Sequence, residues 1–133
     1  MSGAIRRDSV SGVDILTSGT LGFANGIATF TCATRVEPDQ RVHVYGTTGR
    51  IVVEIPFNIP PDRPSRIQIV AGGQPPVAPN IEILEFAPTD PYACEVDAFA
   101  AVVLDGVAPQ VPASDAVANV RVIEELFRVA AEG

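Results

Sequence analysis

Lysine is absent from this chain, and all nine basic residues are arginine. Schiff-base formation and lysine general-base catalysis are therefore excluded from it. Histidine is scarce, with His43 alone, and the only cysteines, Cys32 and Cys94, stand in no metal or redox spacing. Two isolated thiols behind an amino end with no basic-then-apolar leader point to a reducing compartment, most simply the cytoplasm. Whether those thiols pair stays open. Positive charge is also short: the formal net charge is −7. Binding a phosphate backbone needs clustered cations to release counterions, so the composition argues against nucleic acid. No apolar run is long enough to suggest a membrane span; the longest in the helical region, Ala98 to Leu104, is far too short.

What is present suits a folded domain. The 133 residues, 47% hydrophobic and 19% charged, amount to one domain, residues 1–133, with enough apolar material for a core. The first two thirds alternate with period two between turn residues, and the last third shifts to period 3.6. Ala24-Asn25-Gly26-Ile27 carries the sharpest local signal. An Asn-Gly turn would place Phe23 opposite Ala28, Leu21 opposite Phe30 and Gly19 opposite Cys32. That ribbon has an apolar face, expected to meet helices, and a face of Thr20, Gly22, Thr29 and Thr31. The threonine face is either solvated, as antiparallel sheets commonly are, or packed against a second sheet.

A second hairpin runs from Arg41 to Tyr45, turns over Gly46-Thr47-Thr48-Gly49 and returns through Ile55. Val42 and Val44 share a face with Ile51, Val53 and Ile55. Pro56 ends the ladder, and residues 56–64, with four prolines, form a stiff connection. Strands follow over 65–71 and 81–86, separated by a Pro/Gly loop over 72–79. The expected class is α+β: about six mostly antiparallel strands in one sheet, then two carboxy-terminal helices packed on one of its faces.

Asp90 caps the first helix with Pro91 at its first position, and Gly106 closes it. Tyr92, Val96, Phe99 and Val103 form its apolar stripe, while Cys94, Ala98 and Ala101 leave a small-residue reverse side. Ser114 is expected to cap the second helix, with Asp115 near the positive end of its dipole. Ala116, Val120, Ile123, Phe127 and Ala130 make a stripe that Val122, Leu126 and Val129 widen to half the circumference. Either the first helix and a loop cover that arc, or part of it around Leu126 and Val129 waits for a partner. Asn119 lies within it and needs a hydrogen-bond partner if buried. Glu124 and Arg128 stand at i,i+4.

Chemical signatures are few. His43, flanked on its own face by Arg41 and Arg50, reads as a surface residue in preference to a catalyst. Gly19, Gly22 and Gly26 lie inside a hairpin, so they are no dinucleotide fingerprint. Gly46 to Arg50 lacks both the lysine and the following helix of a phosphate loop. Asp90, Glu95 and Asp97 do not share one helix face and read as a solvated, dipole-compensating helix start. No catalytic, cofactor-binding or metal-ligating residue is assigned.

Several runs nonetheless resemble one family in unbroken order. Leu21 to Phe30, Gln40 to Ile51 and Glu54-Ile55-Pro56-Phe57-Asn58 are similar to the carboxy-terminal sheet of the Gfo/Idh/MocA oxidoreductases. Tyr92, Phe99, Ser114 to Asn119 and Val122-Ile123 are similar to its closing helices. The resemblance implies a fold like the carboxy-terminal domain of dihydrodipicolinate reductase, and a role as the substrate-side and oligomerisation domain of an NAD(P)-dependent sugar- or polyol-type dehydrogenase. It implies self-association, as a dimer, through the sheet face of Thr20, Thr29 and Thr31. It equally implies what is missing: the Rossmann domain with its Gly-rich loop, the Glu-Lys-Pro motif, and the helix bearing the family's acid and histidine. The chain is then not catalytic by itself. The alternative is a free-standing association domain that works with a separate Rossmann subunit. Met1 just ahead of the first predicted strand favours a short reading frame or an excised piece.

Overall fold

A computed structural model describes residues 1–72 and 80–132. Seven strands precede two helices among them: β1 (Ser2–Arg7), β2 (Asp14–Phe23), β3 (Gly26–Ala33), β4 (Val42–Tyr45), β5 (Gly49–Val53), β6 (Ser65–Ala71), β7 (Asn80–Phe86), α1 (Pro91–Asp105) and α2 (Ala113–Glu132). The strands do not form the single six-stranded sheet expected. They make two antiparallel sheets, β1-β2-β3 and β4-β5-β6-β7. The chain folds as two compact units, residues 1–37 with 110–133, and residues 38–109.

In the first unit β1 is the strand the sequence hid. Ser2-Gly3-Ala4-Ile5-Arg6-Arg7 has one β-branched residue and no alternation, so it becomes a strand by pairing with β2. The β2–β3 hairpin is present, but its register is two residues from that expected. Leu21 lies opposite Ala28, Gly19 opposite Phe30 and Thr17 opposite Cys32. The expected turn would need positive φ at Asn25 and Gly26, and neither adopts it. The chain turns over Ala24-Asn25 instead, and Gly26 opens β3 opposite Phe23. A slip of two, unlike a slip of one, leaves every side chain on its own face.

The apolar face of this sheet meets α2 as expected. Gly3 and Gly19 lie directly opposite each other and together make a depression. A Cβ on Gly3 would come within 2.5 Å of Leu126 Cδ1, and one on Gly19 within 2.7 Å of the Phe30 ring. Leu126 fills that depression and is only 6% exposed, so it is not the uncovered residue the wide apolar arc suggested. The Arg7 guanidinium, 5.5 Å from the centre of the Phe127 ring, adds a second tie between β1 and α2. The uncovered part of the arc lies earlier in α2, at Val120, Val122 and Ile123.

α2 begins at Ala113, with the Asp115 N–H donating to the Pro112 carbonyl, so Ser114 lies inside the first turn and is not the cap. Asn119 is exposed and donates to Asp115 Oδ2 at 3.1 Å. Arg128 pairs with Glu125, one turn back at i,i+3. This guanidinium holds the Glu125 carboxyl below its ordinary range, through the hydrogen bond first and its charge second.

In the second unit β4 and β5 pair in the register read from the sequence, Val42 opposite Val53 and Val44 opposite Ile51, but β5 ends at Val53, short of Ile55, so Pro56 is not what ends the ladder. Gly46 N–H donates to Gly49 O at 2.8 Å across the turn. Gly49 is required by proximity: a Cβ there would stand 2.5 Å from the Val70 carbonyl on β6. The loop expected over 72–79 lies outside the described residues apart from Gly72, which takes φ +68°.

Asp90 caps α1 by accepting from Tyr92 and Ala93 N–H, and Gly106 ends it at φ 69°. No residue of α1 is buried. Tyr92, Val96, Phe99 and Val103 are all exposed, so α1 does not cover a sheet face as expected. No described helix is long and apolar enough to cross a membrane.

Candidate functional site

Strand parity builds the site. Once Val42, Val44, Ile51 and Val53 occupy one face of the second sheet, the intervening residues must occupy the other. His43 lies opposite Val52, which lies opposite Gln68; Tyr45 lies opposite Arg50. The polar face that results borders an open cleft of about 740 Å³, floored by β4, β5 and β6 and walled by residues 38–41 and 54–58.

Its polar groups are partly committed. Gln40 Oε1 accepts from the Phe57 and Asn58 N–H groups at 3.3 and 3.1 Å, which fastens the proline-rich connection to the start of β4. Gln68 Nε2 donates to Glu54 Oε1 at 2.8 Å. Arg41 lies 3.5 Å from Asp39. The His43 and Tyr45 rings stack at 5.9 Å, and the Tyr45 hydroxyl lies 3.2 Å from His43 Nδ1. His43, Arg41 and Arg50, read from the sequence as surface neighbours, thus line one cleft. Gln40, Glu54, Asn58 and Gln68 were not singled out in the sequence. Parity could have found Glu54, at alternate positions from Arg50 and Val52; nothing local marks Gln68 or Asn58.

The arrangement offers guanidinium donors, one carboxylate braced by an amide, and an imidazole held by a phenol. Such a set can grip a polar ligand through several directional hydrogen bonds. It contains no nucleophile paired with a base. Among the described residues, no three His, Cys, Asp or Glu side chains gather as a metal site would require.

The other sequence-derived surface is the back of the first sheet. Thr20 lies directly opposite Thr29, and Ser18 opposite Thr31, their hydroxyls 2.8 Å apart. Ser2 and Ala4 extend that face across β1. Its centre is made of small uncharged side chains, and Arg6, opposite Leu16, brings one charge to its edge on β1. Of the acids near α1, Asp90 is the cap, and the first turn carries no acidic residue, so Glu95 and Asp97 do not compensate the dipole there.

No family model matches the chain. Over 127 residues it is 30% identical to the "uncharacterized oxidoreductase ORF334" of Rhizobium meliloti, covering 95% of this chain and 38% of that protein. Over 123 residues it is 29% identical to a D-xylose 1-dehydrogenase (NADP(+)) of Haloferax volcanii, covering 92% and 36%. The chain therefore spans little more than a third of the length of the curated relatives it matches. Both matches fall in the carboxy-terminal part of the relatives, which relates the chain to that part of oxidoreductases.

Proposed function

We propose that the chain is the substrate-side and oligomerisation portion of an NAD(P)-dependent sugar- or polyol-type oxidoreductase of the Gfo/Idh/MocA kind, and that it is not catalytic by itself. One observation carries this reading: an alignment along nearly the whole chain to the last part of two proteins named as oxidoreductase and sugar dehydrogenase. The polar cleft supports a substrate-side role, because hydroxyl-rich ligands need paired donors and acceptors. The nicotinamide cofactor would be held elsewhere. Among the described residues, no glycine forms the strand–turn–helix unit that cradles a pyrophosphate. The small-residue back of the first sheet, centred on Thr20, Thr29 and Thr31, would pair two copies.

A chimaera tests the reading. Joined behind the unmatched amino-terminal part of the Haloferax volcanii dehydrogenase, this chain should give a folded protein that binds NADP and oxidises a sugar or polyol. A chimaera that folds and binds NADP but oxidises nothing in a broad aldose and polyol panel would overturn the assignment. A second reading, an association domain serving a separate Rossmann subunit, draws on the uncovered stripe of α1. Under that reading activity appears on mixing two chains without a covalent join.

A further inference from the structure

We propose that the cleft on the β4–β5–β6 face binds a small polyhydroxylated carboxylate, the chemical class of the sugar acids. The proposal concerns this chain alone and does not depend on any cofactor-binding partner. Eight of the eleven residues lining the cleft carry polar side chains, so an apolar ligand would strand their hydrogen-bonding groups. The volume, about 740 Å³, is that of a small-molecule site.

Charge then selects the ligand. Two guanidinium and two carboxylate groups line the cleft, those of Arg41, Arg50, Asp39 and Glu54. Arg41 is engaged with Asp39, and Glu54 with the Gln68 amide. Arg50 has no ion-pair partner among the described residues. A single uncommitted guanidinium matches one carboxylate, which it can hold with two parallel hydrogen bonds. A phosphate dianion would bring a second charge toward Asp39 and Glu54 and is disfavoured. The remaining groups match hydroxyls. Glu54 accepts from them, the Gln68 and Asn58 amides donate and accept, and His43, tied through Nδ1 to Tyr45, keeps its other ring nitrogen for the ligand.

Calorimetric titration of the 133-residue chain decides the matter with four probes: gluconate, sorbitol, acetate and glucose 6-phosphate. Gluconate should bind saturably, and the other three at least about tenfold more weakly, since each lacks the hydroxyls, lacks the carboxylate or carries excess charge. Arg50→Gln should bring gluconate down to the level of sorbitol, and Arg50→Lys should fall between, keeping charge without the planar fork. Glu54→Gln should weaken gluconate and sorbitol together. Arg50 is exposed, so its variants should keep the wild-type circular dichroism; should Arg50→Gln unfold, Arg50→Lys alone decides. Gluconate binding no tighter than sorbitol or acetate, or unchanged in the Arg50 variants, overturns the proposal, as does the absence of saturable binding. A failed chimaera with intact gluconate binding would sink only the oxidoreductase reading.

Discussion

Leu126 shows how a single side chain can be misjudged by its own helix. On a helical projection it only widens an apolar arc, and its burial depends on two glycines more than a hundred positions away. Gly3 and Gly19, opposed across β1 and β2, are the reason α2 can sit close to the sheet there. Nothing in a helical period reveals that, because the depression is made by side chains that are missing from strands. Cutting Leu126 back to alanine empties the depression, since the opposing glycines have no atoms to move into it. Leu126→Ala should therefore destabilise the chain by about 2–4 kcal/mol in chemical denaturation. Val120→Ala, at a residue 53% exposed, should cost well under about 1 kcal/mol. Equal costs for the two would mean that α2 is not seated on Gly3 and Gly19 in solution. At the same scale the polar cleft was half legible. His43, Arg41 and Arg50 share one parity, but Gln68 joins them only through the pairing of β5 with β6.

Local grammar was readable in part: the Asn25-Gly26 turn and the Ser114 cap are displaced from where they were expected, but three other local signals hold. The Gly46–Gly49 turn, the Asp90 cap and the Gly106 stop each depend on a few adjacent residues, and each stands where the sequence put it. β1 and the division into two sheets depend on long-range pairing, which periodicity does not encode. The β1–β2 connection is a local device that went unread. Asp8 Oδ1 accepts from the N–H groups of Val10 and Ser11 and from the Ser11 hydroxyl, while Oδ2 meets Arg35. These bonds, the Ser11 N–H first among them, hold the Asp8 carboxyl below its ordinary value of 3.8. A carboxyl lowered on folding stabilises the fold above its unfolded value, and that stability is lost as pH falls through the folded one. Near neutral pH, Asp8→Asn should be less stable than the parent, because a neutral amide oxygen accepts those bonds more weakly. The gap should close below about pH 4 as the parent's carboxyl is protonated. Parallel stability curves for the two proteins across that range would show that the turn does not hold a charged Asp8.

At the scale of the whole molecule, the chain exposes much of what it should bury. Among the described residues, Val70 and Leu126 are the buried hydrophobic side chains, while Tyr92, Phe99, Ile123 and Phe23 are each more than half exposed. Such surfaces favour association, because each large side chain removed from water contributes about 1.5–3 kcal/mol. The pairing proposed above runs through the back of the first sheet. Its Thr20–Thr29 and Ser18–Thr31 pairs lie flat, offer no charge to desolvate, and can approach a second sheet at about 10 Å. In a two-fold pairing the same residue enters the interface twice. Thr29→Glu would thus place two carboxylates in one dry contact, at a cost of several kcal/mol. In the separate chain the same substitution falls on an exposed strand position and should change stability by less than about 0.5 kcal/mol. Sedimentation velocity should then find the parent as a dimer and Thr29→Glu as a folded monomer, with Thr29→Ser still dimeric. A parent that stays monomeric at high concentration, or a Thr29→Glu variant that dimerises as well as the parent, would mean that this face is simply solvated and that association, if any, runs through the apolar stripes of α1 and α2.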